Sequence, residues 1–133
     1  MKVVQALGKR KTAIARVTLR QGKGTVRVNH VPIDNYTPKL SRLKLMEPLI
    51  IAGDAASKVD IDVNVAGGGV TSQAEASRLG IAKALVEFTK SEKLREQYLN
   101  YDRTMLVADV RRKEMHKPNR HGKARAKVQK SYR

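Results

Sequence analysis

The sequence predicts an α/β domain, and three observations predict it. Val59, Ile61, Val63 and Val65 alternate with Asp60, Asp62 and Asn64, the period of two of a strand with one buried face. Gly67-Gly68-Gly69 then supplies backbone freedom for a turn. Beyond it the pattern becomes helical, with Ala74, Ile81, Leu85 and Phe88 along one side and Ala82 and Ala84 flanking them. A second alternating run, Ala13, Ala15, Val17 and Leu19, supplies another strand.

The remaining elements follow in chain order. Val3 to Leu7 reads as a short strand ended by Gly8 and the cluster Lys9-Arg10-Lys11. Arg16, Thr18 and Arg20 point away from the apolar side of the second strand. Gln21-Gly22-Lys23-Gly24 reads as a hairpin turn, with Thr25 to Asn29 as the return strand. A loop over residues 31–36 leads to Thr37-Pro38, a helix start with proline at the first helical position. Leu40, Leu43 and Met46 carry the helical spacing, and Pro48 should stop or kink that helix, leaving Leu49 to Ala52 as a separate turn. Ser72 and Glu75 form an S-x-x-E capping box for the helix after the glycines. Ser91 and Glu92 start a further helix through Tyr98 and Leu99, and Met105 to Val110 is a last apolar patch that docks on the body.

Charge and length bound the function. At 133 residues the chain is one domain with an appendage, and its formal net charge is +16. Residues 1–102 hold 17 basic and 10 acidic side chains, whereas residues 103–133 hold 11 and 2, so more than half of the excess lies in the last quarter. Such a charge opposes compaction unless a polyanion neutralises it, which makes nucleic acid the leading partner and an anionic membrane surface the second. The irregular spacing of the tail argues against an amphipathic membrane helix. Disulfides and thiolate metal sites are excluded because there is no cysteine. No apolar run approaches a membrane span and the N-terminus lacks the apolar stretch of a signal peptide, so a cytosolic or nuclear-type location is expected. The expected division is a globular body over residues 1–102 and a basic tail over 103–133. That tail has too little apolar surface to offset its ordering entropy, so alone it should be disordered.

Candidate chemistry is sparse. The glycine run before a helix invites phosphate, but no nucleotide motif can be written there, and a tight structural turn is the favoured reading. Asp60 and Asp62 lie on one strand face opposite the outward Arg16, Arg20 and Arg27. A ladder of opposite charges explains them better than a catalytic pair. Arg78 breaks the apolar stripe of its helix and either snorkels to the surface or meets a phosphate near the glycine turn. His30, His116 and His121 are scattered, and no metal site or cofactor is expected. Lys9, Arg10 and Lys11, with Arg16 nearby, form a phosphate-binding patch. Arg111, Arg112, Lys113, Lys117, Arg120, Lys123, Arg125 and Lys127 neutralise phosphates along an irregular RNA surface.

These residues carry a resemblance. LGKRKTAIARV near the start, VAGGGVTSQAEASRLGIAKAL in the middle and KARAKVQKSYR at the end together resemble the small-subunit ribosomal protein nine family over essentially the whole length. Tyr132 stands where the bacterial pattern has lysine, which favours the archaeal or eukaryotic-like form. The resemblance implies a two-layer α+β sandwich of the ribosomal protein S5 domain 2-like kind, with a left-handed strand–helix–strand crossover. It implies a structural, non-enzymatic constituent of the cytoplasmic ribosome that binds small-subunit ribosomal RNA in the head beside other head proteins. The tail is implied to reach the peptidyl-site transfer RNA, where Arg133 meets the anticodon arm with Lys130 close by. Lys123 and Arg125 would touch RNA on the way, and Tyr132 would stack on a base or ribose. Two rival readings, an RNA-binding subunit of a ribonucleoprotein enzyme and a phosphotransferase using the glycine turn, are disfavoured, the first by the concentration of charge in the tail and the second by the absence of its motifs. The first needs a basic face on the body and the second a nucleotide motif with a metal-holding acid.

Overall fold

A computed structural model describes residues 2–119 and 124–125. Five strands, β1 (Val3–Arg10), β2 (Ala13–Gln21), β3 (Val26–Val28), β4 (Val31–Pro32) and β5 (Val59–Ala66), form one mixed sheet in the order β1-β2-β5-β3-β4. Among the described residues three α-helices accompany them, α1 (Lys39–Ala52), α2 (Val70–Thr89) and α3 (Glu92–Tyr101), along with short 3-10 turns. The α/β expectation holds, and the strict alternation of β2 and β5 puts Ala13, Ala15, Val17, Leu19, Val59, Ile61, Val63 and Val65 into one buried cluster. Burying these aliphatic side chains against α2 supplies the main favourable free energy, about 25 cal/mol per Å² of apolar surface.

The first hairpin lies elsewhere than the sequence suggests. Strand β1 runs on through Gly8, Lys9 and Arg10, and the tight turn is Lys11-Thr12, closed by the Arg10–Ala13 pair. Gly8 does not end the strand because it is where β1 touches α2. A methyl group there would overlap the Ala76 carbonyl oxygen, and one at Gly80 would stand 2.6 Å from Val17 Cγ2. The residues Gly22 to Gly24 do not close a hairpin. Strand β5 inserts between β2 and β3, pairing antiparallel with one and parallel with the other. The loop instead wraps the start of β5. Asp60 Oδ1 accepts from the N–H groups of Lys23 at 3.0 Å and Thr25 at 3.1 Å, which holds its carboxyl below the usual range.

Proline placement also differs. Pro38 caps α1 rather than opening it, and α1 continues across Pro48 as one helix. The buried faces explain this: Ser41, Leu45 and Pro48 point inward, whereas Leu40 and Leu43 are exposed. The buried Tyr98 hydroxyl of α3 donates to the Pro48 carbonyl at 2.8 Å and ties the two helices at the point of expected fracture. Burial raises the Tyr98 pKa further above its ordinary value. Helix α3 starts as expected, with the Ser91 hydroxyl accepting from the Leu94 N–H at 3.3 Å. Of the last apolar patch, Met105 is fully buried and Leu106 packs on the core, but Val107 and Val110 are exposed.

Candidate nucleic-acid interface

Alternation along β1 decides what its basic cluster does. Gly8 and Arg10 share the face toward α2, Lys9 alternates with them, and Lys11 stands at the turn with φ +53°. Arg10 is therefore drawn inward. Its Nε donates to Glu75 Oε2 at 2.7 Å, and its Nη1 lies 2.7 Å from Asp109 Oδ2. Glu75 Oε1 accepts from Lys44 Nζ at 2.9 Å. Burial opposes ionisation of Glu75, yet the hydrogen bonds from Lys44 and Arg10 outweigh it and hold the carboxyl below its ordinary value.

This overturns the capping box. Gly69 is the N-cap of α2 with no side-chain hydrogen bond, and Ser72 lies inside the helix. Glu75 is instead the acceptor that joins β1 to α1. The glycine turn itself is structural in shape: Gly67 and Gly68 have φ of +83° and +66°, and a Cβ on Gly67 would stand 2.5 Å from the Thr12 carbonyl oxygen. It packs against the hairpin turn.

Asp109 completes the arrangement. It accepts from the Arg111 backbone N–H at 3.0 Å and from Arg111 Nη2 at 2.7 Å. These bonds hold its carboxyl well below the usual range. Asp109 thus brings the second basic run against the first. Arg10, Lys11, Thr12, Arg111, Arg112 and Lys113 line a surface groove of about 560 Å³ in which no lining residue is acidic. On the other side of Arg10 and Arg111, Lys9 borders a smaller cavity of about 160 Å³ with Glu75, Arg78 and Asp109. Arg16 does not join the groove. It is exposed on β2, across from Leu7 on one side and Asn64 on the other.

Arg78 follows neither reading open to the sequence. It is buried, and its guanidinium holds Glu47 Oε2 at 2.5 Å, Asp102 Oδ2 at 3.2 Å and Thr104 Oγ1 at 3.0 Å. Burial works against the Asp102 charge, but the Thr104 hydrogen bonds and Arg78 overcome it and lower the pKa. The charge ladder is present in part: Arg20 Nη2 meets Asp62 Oδ2 at 3.1 Å, while Asp60 serves the backbone. Farther along, Glu114 holds Lys117 at 2.5 Å and Arg125 at 3.0 Å. Arg120, Lys123, Lys127, Lys130, Tyr132 and Arg133 lie outside the described residues. Sequence reasoning missed Glu75 and Asp109 as braces, since no local pattern marks a carboxylate whose partner is 65 or 99 positions away. Among the described residues no group of histidine or acidic side chains is placed to hold a metal ion. No described helix is long and apolar enough to cross a membrane.

Comparison with known proteins adds the following. The profile of the family described as ribosomal protein S9/S16 matches residues 8–133. The chain is 53% identical to the small ribosomal subunit protein uS9 of Methanococcus maripaludis strain C7 over 100% of both chains. It is 51% identical, again over 100% of both chains, to the protein of that name from Methanococcus vannielii. Both relatives are archaeal, in keeping with the departure from the bacterial pattern at Tyr132.

Proposed function

The chain belongs to the ribosomal protein S9/S16 family, and on that premise we propose that it binds small-subunit ribosomal RNA in the head and extends its tail to the peptidyl-site transfer RNA. Family membership makes it a structural constituent of the small ribosomal subunit and not an enzyme. Its place is in the cytoplasmic ribosome beside other head proteins. The observation that carries the RNA reading is the groove at the hairpin tip, where two basic runs a hundred residues apart meet with no acidic lining residue. Lys11, Arg111, Arg112 and Lys113 face phosphates there, and recognition is of shape and backbone rather than of base edges. Arg10 contributes by holding the walls together.

The finer assignments rest on the resemblance. We assign residues 1–102 to the body and 103–133 to the tail, whose Met105 and Leu106 pack on the core of the body. The parallel pair β3 and β5, joined through α1, is the strand–helix–strand unit of the S5 domain 2-like fold, with left-handed crossover. Lys117, Arg120, Lys123, Arg125 and Lys127 follow ribosomal RNA, and Lys130, Tyr132 and Arg133 meet the transfer RNA.

The test measures binding of the full chain to a small-subunit head RNA fragment across a salt series. Lys11→Gln with Arg112→Gln should lower the slope of log K against log salt by about 1.5, two phosphate contacts at about 0.7–0.9 each. An unchanged slope means the groove faces solvent. Deleting residues 129–133 should leave assembly intact and weaken transfer RNA binding at the peptidyl site; undiminished binding removes the tail from that role.

A further inference from the structure

We infer that the open face of the sheet, turned away from α2, is a second RNA-docking surface that takes a ribose–phosphate strand across Arg16 and Arg27. The inference rests on the RNA-binding reading above but concerns a different surface from the hairpin groove. Its central positions, Leu7, Arg16, Asn64 and Arg27, are all exposed.

Charge selects the occupant. Four groups on this face carry full charge near its centre: Arg16, Arg20, Arg27 and Asp62. Asp62 is committed to Arg20 at 3.1 Å. Asp60, at the end of the same face, accepts from the backbone N–H groups of Lys23 and Thr25 and acts on Arg27 only through space, without forming an ion pair. Arg16 and Arg27 are left without an ion pair among the described residues. Arg16 stands level with Asn64, and Arg27 stands level with Asp62, one outward position further along and two strands away from β2. Strand spacing and rise put the two Cα atoms about 12 Å apart, so the guanidinium groups meet different phosphates of one strand. Between and beside them lie the hydrogen-bonding groups of Thr18, Asn64 and the exposed His30, which with Arg20, Arg27 and Asp62 line a shallow hollow of about 350 Å³.

The apolar neighbours fit the same ligand. Leu7 and Ile14 are 59% and 40% exposed next to Arg16 and offer aliphatic surface against which sugars and base faces lose water. A protein partner would be expected to find aromatic anchors and few charges at the centre of the patch. Among the described residues this face has no aromatic side chain and places at its centre two guanidinium groups that form no ion pair. The exposed side of α3, by contrast, interleaves Glu92, Lys93, Arg95 and Glu96, a mixture of signs that suits solvent.

The absence of cysteine makes the test direct. A thiol-linked photo-crosslinker is placed at Asn64→Cys, or separately at Arg112→Cys in the hairpin groove, and each protein is assembled into small subunits before irradiation. Crosslinks from Asn64→Cys to ribosomal RNA support the inference; crosslinks to a protein, or none, overturn it. Arg112→Cys reports on the hairpin groove, so RNA crosslinks there with none from Asn64→Cys leave the RNA-binding reading standing while this inference fails. Arg16→Gln with Arg27→Gln should also lower the salt slope by about 1.5 with no change in the unfolding midpoint. A slope equal to that of the unaltered chain counts against the two arginines.

Discussion

Gly8 and Arg10 lie two residues apart on the same face of β1, yet they meet α2 in opposite ways. At Gly8 the strand and helix backbones are in contact, with no room for a methyl group. At Arg10 they are separated by the length of a guanidinium and held by Glu75, with Asp109 adding the chain beyond α3. The first contact is one of shape, indifferent to salt and pH. The second is one of charge, partly solvated, and open to competition from other anions. One strand thus carries both the immovable seam of the body and the adjustable edge where RNA is proposed to bind.

The comparison breaks most severely at the seam. Gly8→Val pushes a side chain into the Ala76 carbonyl, an obstacle of backbone that no rotamer change relieves, and should cost about 4 kcal/mol or more. The expected result is loss of a cooperative urea transition; a normal midpoint would mean strand and helix separate easily. Gly80→Ala sharpens the point, because its nearest obstacle is a side-chain methyl of buried Val17 rather than backbone, and about 1–3 kcal/mol is expected. Next comes Arg78→Met. Glu47 and Asp102 would lose their shared partner, but their side chains keep 27% and 39% exposure, so the cost should be about 2–3 kcal/mol, below that of a fully buried pair. A loss under about 0.5 kcal/mol would show that water replaces the guanidinium.

The smallest effect is acid sensitivity. Glu75 and Asp102 both titrate below their ordinary values when folded. Their contribution is complete above the ordinary carboxylate range and fades as the pH falls through it, below about pH 5. Glu75→Gln should flatten the acid limb of stability against pH, and Gly80→Ala should shift the whole curve without changing its shape. Identical acid limbs for Glu75→Gln and the unaltered chain would remove Glu75 from the linkage.

Some features were legible in the sequence because they are local. The alternation of β2 and β5, the Ser91 cap and the outward arginines each depend on neighbours in the chain. The hairpin expected at Gly22–Gly24 failed because glycines mark a turn without saying whether another strand will enter between its arms. The stop expected at Pro48 did not occur: α1 continues through it, and the Tyr98 hydroxyl, fifty residues on, ties this buried stretch to α3. Ser72 and Glu75 matched a capping motif, but a carboxylate within reach of Arg10 and Lys44 gains more from two cations than from one backbone N–H.

What the sequence determined by itself was the α/β class, the family and the surplus of positive charge, since periodicity, motif and composition are properties of the chain. Tertiary structure alone decided which of those charges remain available. Arg10 and Arg78 are consumed by carboxylates brought from distant segments, whereas among the described residues Lys11, Arg16 and Arg27 form no ion pair, although Asp60 acts on Arg27 through space. The reason is physical: an ion pair depends on separation in space, and folding sets that separation independently of distance along the chain.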